Sequence, residues 1–372
     1  MTRSGKSGSS ESSSHIAGNE GTMNTSENRS QDQSEVQLHR SRLRNMLFGA
    51  RIASVVSVFA ALGLADALAG GARGVSALAQ ACDASEDALA RLLRAAAALE
   101  LVEVTSTGDF SLTALGEALR SDAPGSLGVL AASVTREDRW RPWGELLRSV
   151  RTGGPAFEEL FGQSQDAWFA DNRDAGVAFD QQMTSVTQDI AKHCAEVLGP
   201  SRFDCAIDVG GGQGVLLSAI LQQAPAIRGV LFDLPHVVAG ASPLLAEAGV
   251  TERCTVVGGS FFEAVPEGGD AYLLKWILHG WDDPPCLEIL RSCRAAMTGD
   301  ARLFVIETLL PSGADPQRIC LRDLNMLVMG SGRERTLGEY EELLARAGLD
   351  VLAVHPTNSL FAIIEAGLRP TA

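Results

Sequence analysis

A glycine-rich turn stands where a strand hands over to a helix, and the chain beyond it keeps alternating between the two. Asp208-Val-Gly-Gly-Gly-Gln-Gly214 follows the apolar run Cys205–Val209 and precedes the helical pattern Val215–Gln223. Further strands are expected at Gly229–Asp233, Cys254–Val257, Ala271–Leu274 and Arg302–Glu307. Helices are expected beyond Pro235 and at Pro285–Met297, Pro316–Met329 and Thr336–Ala347, and Val351–His355 with Leu360–Glu365 form a closing pair. Apolar runs of strand length separated by amphipathic segments predict an α/β fold. The regular alternation predicts a parallel, doubly wound sheet, with an antiparallel strand at one end.

The turn itself limits the ligand. Glycines let the backbone bend sharply and approach a bound group closely, and the following helix N-terminus adds donors and partial positive charge. A dinucleotide fingerprint needs G-x-G-x-x-G. Counted from Gly210, its third glycine falls on Val215, so the fingerprint fails. Instead, Asp208 stands two residues before the glycines. A carboxylate there repels a pyrophosphate and suits a cationic ligand such as S-adenosylmethionine (SAM), with its ammonium and sulfonium. Asp233, about 20 residues on, is placed to accept from a ribose diol, which marks a nucleoside without saying which.

The stretch Ala271-Tyr-Leu-Leu-Lys-Trp-Ile-Leu-His-Gly-Trp-Asp-Asp283 places His279 just past the end of a central strand. Ligands bind at that edge of an open α/β sheet, and a histidine there can serve as a general base. A turn cap, or packing against Trp281, explains His279 equally well on this stretch alone. The glycine turn upstream moves the reading towards a site.

Residues 1–36 are rich in Ser, Gly, Asn, Glu and Gln and read as a disordered tail. Residues 37–185 read as a helical domain and 186–372 as the ligand-binding one. The window Asn45–Leu68 is apolar on more than one face and calls for cover, with a partner subunit as one source. Arg51 and Asp66 interrupt the apolar window Met46–Ala69, which leaves too little to span a bilayer. Val75–Ala81, Ser85–Leu99 and a hairpin across Thr107-Gly108-Asp109 give a winged-helix pattern, with Thr113 opening the next helix. Such a module binds DNA or holds a dimer together. The supposed recognition helix sets Arg91 and Arg94 against Glu86 and Asp87, and the whole chain carries a formal charge of −15. Phosphate binding requires the opposite balance, so no nucleic-acid partner is expected. Aromatic residues through 126–200 fill a core, and some are placed to line a pocket for an aromatic ligand. The 7 cysteines form no C-x-x-C. They read as reduced thiols of a soluble cytoplasmic enzyme, and no metal-ligand cluster is evident.

Four motifs now stand in order: Asp208-Val-Gly-Gly-Gly-Gln-Gly214, Phe232-Asp-Leu-Pro-His-Val237, Leu274-Lys-Trp-Ile-Leu-His-Gly-Trp-Asp-Asp283 and Gly332-Arg-Glu-Arg-Thr336. Together they resemble the class I small-molecule O-methyltransferases, plant caffeic acid and isoflavone enzymes and bacterial natural-product enzymes among them, over about residues 40–366. The resemblance implies a Rossmann-like SAM-methyltransferase sheet with a mainly helical, winged-helix-like N-terminal domain that forms a homodimer and helps roof the partner's site. It implies SAM as methyl donor, S-adenosylhomocysteine as product, and a small aromatic or quinone acceptor in secondary metabolism. By the same resemblance His279 is the catalytic base, flanked by Glu307 and Glu334. Gly210, Gly212, Asp233, Ser260, Phe261 and Lys275 hold the cofactor, with Ser260 standing where the plant enzymes have an acid. Met183, Trp276 and Met326 surround the acceptor. Gly280 replaces an acid that usually follows the histidine. A changed chemistry on the same fold, hydroxylation or decarboxylation, is the first alternative, and a winged-helix DNA-binding regulator the second.

Overall fold

In the computed structural model residues 35–311, 315–357 and 359–370 are described. The tail expected at 1–36 therefore lies outside the described residues except for its last two, which open the helix Glu35–Leu47. The described residues up to Ala53 form one compact unit and those from Ser54 onwards another. In the first, Leu38, Leu43, Met46 and Leu47 are exposed along that helix. Among the described residues no single helix is long and apolar enough to cross a membrane.

The second unit opens with the expected helix, helix and hairpin. Helices Val75–Ala81 and Glu86–Ala98 precede β1 (Val102–Val104) and β2 (Phe110–Leu112), which pair antiparallel. Ser85 occupies the cap position of the second helix, but its hydroxyl makes no capping bond. Thr113 does cap the next helix, accepting from Gly116 N. Leu78, Leu89, Leu93 and Phe110 join one apolar cluster, which fixes the hairpin against the helices.

The large sheet is built from β3 (Cys205–Val209), β4 (Arg228–Asp233), β5 (Cys254–Gly258), β6 (Ala271–Lys275), β7 (Arg302–Leu310), β8 (Arg335–Thr336), β9 (Leu349–Pro356) and β10 (Phe361–Leu368). Its order is β5-β4-β3-β6-β7-β10-β9, with the short β8 paired to β7. Strands β3 to β7 run parallel. The reversed strand is β10, and it lies between β7 and β9 rather than at the end of the sheet. The reason is local: the short 357–360 connection forces β10 to run against β9, and the free edge of β7 receives it.

Side chains alternate between the two faces. Tyr272 and Leu274 enter one core with Leu303 and Val305, whereas Ala271 and Leu273 enter the other with Phe304 and Ile306. Burial on both faces is what a parallel sheet requires, and each fully buried Leu, Ile or Phe contributes about 1.5–3 kcal/mol. The 26-residue helix Arg173–Leu198 covers one face and packs on Val215–Gln223. The position 185/186, suggested as a boundary, lies inside that unbroken helix.

Candidate active site

Strand order reverses at β3, whose neighbours are β4 and β6. The crevice at the carboxyl ends of these strands is the ligand position of a doubly wound sheet. Asp208, Asp233, Lys275 and Glu307 all stand at that edge, on β3, β4, β6 and β7. Gly210, Gly212 and Gly214 each have positive φ, at 71°, 62° and 86°. A Cβ on Gly210 would come 2.4 Å from the Ile277 side chain, which would have to shift, whereas one on Gly212 would meet nothing within 4 Å. The turn is thus packed from below and open above. Gly212 N donates to Asp233 Oδ2 at 2.8 Å and Leu234 N to Oδ1 at 2.7 Å, so Asp233 ties the turn to β4.

Burial pushes Asp208 up to about 7, against the attraction of Lys275. Its Oδ2 has no hydrogen-bond partner among the described residues. Burial likewise drives Lys275 down to about 8, opposed by Asp208 and Glu307. Lys275 Nζ donates to Thr187 Oγ1 at 2.8 Å, which links the sheet edge to the long covering helix. On that same helix burial and the charge of Asp233 raise Asp180 to about 6.

His279 sits in a single helical turn, Leu278–Gly280, just past β6. Its backbone N donates to Glu307 Oε1 at 3.3 Å, and its Nδ1 lies 3.1 Å from Glu334 Oε1. Burial pushes the Glu334 carboxyl up, but the His279 hydrogen bond and the His279 and Arg322 charges outweigh it and hold the group below its usual range. Glu334 is therefore a carboxylate and can only accept. In the neutral imidazole the proton of that bond belongs to Nδ1, and Nε2 keeps its lone pair. Glu307 is fully buried, and burial holds its carboxyl up.

Several constraints fix that turn. Trp276 leaves β6 with φ 57°, a strained conformation for a bulky residue. Its N bonds Ile306 O at 3.1 Å, and its ring stacks on His279 at 5.8 Å. Arg335 is fully buried and donates to Leu278 O at 2.9 Å and Trp281 O at 2.8 Å, one on each side of His279. A Cβ on Gly332 would come 2.1 Å from His279 O. The 332–336 segment, held by β8 against β7, is thus moulded to the histidine turn.

The chain matches the O-methyltransferase domain model over residues 143–350 and the O-methyltransferase dimerisation domain over 45–122. It belongs to the O-methyltransferase family. It is 39% identical to the phenazine O-methyltransferase of Lysobacter antibioticus over 326 residues, 88% of this chain and 95% of that one. It is 34% identical to the 8-amino-8-demethylriboflavin N,N-dimethyltransferase of Streptomyces davaonensis, over 85% of this chain and 91% of the relative. Among solved structures, an O-methyltransferase from neocarzinostatin biosynthesis, determined with SAM and 2-hydroxy-5-methyl naphthoic acid, superposes with a TM-score of 0.75 at 33% identity. That match covers 85% of this chain and 96% of the other. The protein is a SAM-dependent O-methyltransferase of the natural-product type.

The sheet edge of this O-methyltransferase fits that cofactor. The turn at Gly212 is open, the unpartnered Asp208 Oδ2 offers an acceptor near the sheet edge, and Asp233 keeps lone pairs beyond its two backbone bonds. Phe261 lies beside Gly210, 3.6 Å from where a Cβ would stand. The Ser260 hydroxyl accepts from Phe262 N and bonds none of the other predicted site residues among the described ones. Met183 lies one turn before Thr187 on the covering helix, and Met326 one turn beyond Arg322 on Pro316–Met329. The sequence reading missed Thr187, Asp180, Arg322 and Arg335 as site residues. Arg335 lies inside a quoted motif, but nothing in its spacing shows that it clamps a turn more than 50 residues upstream.

Proposed function

We propose that this enzyme methylates a phenolic or quinone-type hydroxyl of a small aromatic natural product, with His279 as general base. The free Nε2, set by the carboxylate on Nδ1, carries this reading. A phenol with pKa about 10 stays mostly protonated at neutral pH. Nε2 accepts its proton as the oxygen attacks, a contribution of about 10²–10⁴-fold. Glu334 holds the ring and offsets the imidazolium charge that forms, while Glu307 anchors the backbone of the same residue. When bound, SAM supplies an electrophilic methyl group on its sulfonium.

In this reading Gly210, Gly212, Asp233, Ser260, Phe261 and Lys275 hold the cofactor. Asp233 takes the ribose, and the open face of the turn admits the methionine part. Met183, Trp276 and Met326 line the acceptor side. Relatives support the acceptor class: one is named for phenazine, another for 3-amino-4-hydroxybenzoate and a third for mitomycin biosynthesis. An arylamine acceptor is the second reading, favoured by the relative named for N,N-dimethylation. The dimerisation-domain match supports a homodimer.

Mass spectrometry of enzyme incubated with SAM and a panel of phenols, hydroxyquinones and arylamines tests this. The expected product gains one methyl on oxygen as S-adenosylhomocysteine appears. Transfer to nitrogen only would replace the first reading with the second.

A further inference from the structure

Arg322 lies on the helix Pro316–Met329, between the His279–Glu334 pair and two aromatic rings. Its guanidinium stands 4.8 Å over Trp276 and 5.7 Å over Phe361. Stacking on both rings fixes the plane of the fork. Its Nε is 2.8 Å from Glu334 Oε1, but that nitrogen makes no aligned hydrogen bond. One terminal amino group donates to Thr308 Oγ1. The other finds no hydrogen-bond partner among the described residues, and the side chain keeps 19% of its surface open.

The imbalance is chemical. Glu334 Oε1 serves both the Arg322 guanidinium and the His279 ring. One carboxylate oxygen divided between two bases leaves the guanidinium with donors to spare. Of the unpartnered donors only Nε is sealed from solvent, so the remaining amino group is open for a ligand anion to take. A planar fork of donors matches a carboxylate in two parallel bonds. Arg335 spends its donors on the histidine turn and Asp283, and Lys275 donates to Thr187.

We propose that Arg322 is the anion-recognising subsite of the acceptor pocket, and that the preferred acceptor is an aromatic hydroxy acid carrying a carboxylate on the ring system that bears the reacting hydroxyl. The proposal rests on the reading of His279 as the base that meets that hydroxyl. Arg322 then sets which acceptor binds and how its hydroxyl is aimed at Nε2.

The test uses matched pairs: hydroxybenzoic and hydroxynaphthoic acids beside their methyl esters. Wild-type kcat/KM for the acid is expected to exceed that for the ester at least tenfold. Arg322→Gln is expected to bring that ratio to within threefold, and Arg322→Lys to restore part of it. Calorimetry in the presence of S-adenosylhomocysteine reads binding alone, and there Arg322→Gln weakens acid binding tenfold or more and ester binding less than threefold. A wild-type preference for the ester overturns the proposal, and so does absence of acid binding. Loss of acid and ester activity by the same factor also overturns it, because Arg322 then acts only through Glu334. Arg322-dependent acid binding without methylation of any panel member would leave the anion subsite standing and remove the proposed reaction instead.

Discussion

Among the described residues two clusters share the same three residue types, and only one is at the sheet edge where ligands bind. His279, Glu334 and Arg322 meet beyond β6 and β7, while His355, Glu365 and Arg202 meet on the β9–β10 side of the sheet. In the second cluster Arg202 grips both Glu365 oxygens at 3.1 Å and His355 Nε2 adds a third bond at 2.9 Å. Both oxygens of that carboxylate are bonded, and its partners are open to solvent, with side-chain exposures of 46% for Arg202 and 34% for His355. In the first cluster the exposures are 12% for His279 and 0% for Glu334. There Glu334 Oε2 and Glu307 Oε2 have no partner among the described residues. Identity of residues does not separate a site from a staple. Burial with unmet valence does, because a fold tolerates that cost where function gains from it.

The sharpest way to break this contrast is to delete each histidine. His279→Ala is expected to lower kcat about 10²–10⁴-fold, whereas His355→Ala keeps kcat within twofold, both read as steady-state methyl transfer. Equal losses would show that His279 is only a structural turn residue. Next in size comes Gly332→Ala. Its Cβ would stand 2.1 Å from His279 O and displace the turn, and a misplacement of about 1 Å costs about 10²-fold in kcat. Calorimetric binding of S-adenosylhomocysteine should change less than threefold. A fully active variant would mean that the turn yields freely.

Stability should move in opposite directions at the two places. Lys275 is a buried cation whose pKa lies near 8 in the folded chain against 10.5 unfolded. Its burial cost is fully present below about pH 8 and fades as pH rises towards 10.5, because only the unfolded chain is then charged. Lys275→Met is expected to stabilise the ligand-free protein at pH 7 by about 1–2 kcal/mol, part of the gain being offset by the lost attraction to Asp208. Denaturant titration should show the gain shrinking by pH 10. The smallest effect belongs to Glu365. Burial pushes its carboxyl up, but the bonds from Arg202 and His355 hold it below the usual range. That stabilisation is present above about pH 4.5 and is lost as pH falls through the lowered value. Glu365→Gln should cost at most about 1 kcal/mol at pH 7, since its partners are solvent-exposed, and the cost should fade as pH falls through the lowered value.

Much of the fold was legible from short windows. Strands β3 to β7 fall within a few residues of their expected bounds, because an apolar run bounded by glycine, proline or acid is a local signal. The placement of β10 was not legible, since pairing order depends on which edge remains free once the other strands have docked. For the site, His279 and Asp233 announce themselves by standing at or just past strand ends, whereas Glu307, expected to end its strand, lies three residues inside β7, which runs on to Leu310. Arg322 and Thr187 do not: each lies mid-helix, where a polar residue usually faces water, and each enters the site only because of how its helix lies on the sheet.

The sequence by itself determined the alternation of strand and helix, the glycine turn at 210–214, and the position of His279 just beyond a central strand. These follow from backbone sterics and hydrophobic periodicity within a few residues. Tertiary structure alone decided that Glu334 meets His279, because the pairing of β8 with β7 brings together residues 55 apart in sequence. It also decided that one His–Glu–Arg cluster became buried at the sheet edge and the other a solvent-facing brace. Burial is a property of the whole packed chain, and the charge chemistry of each cluster follows from it.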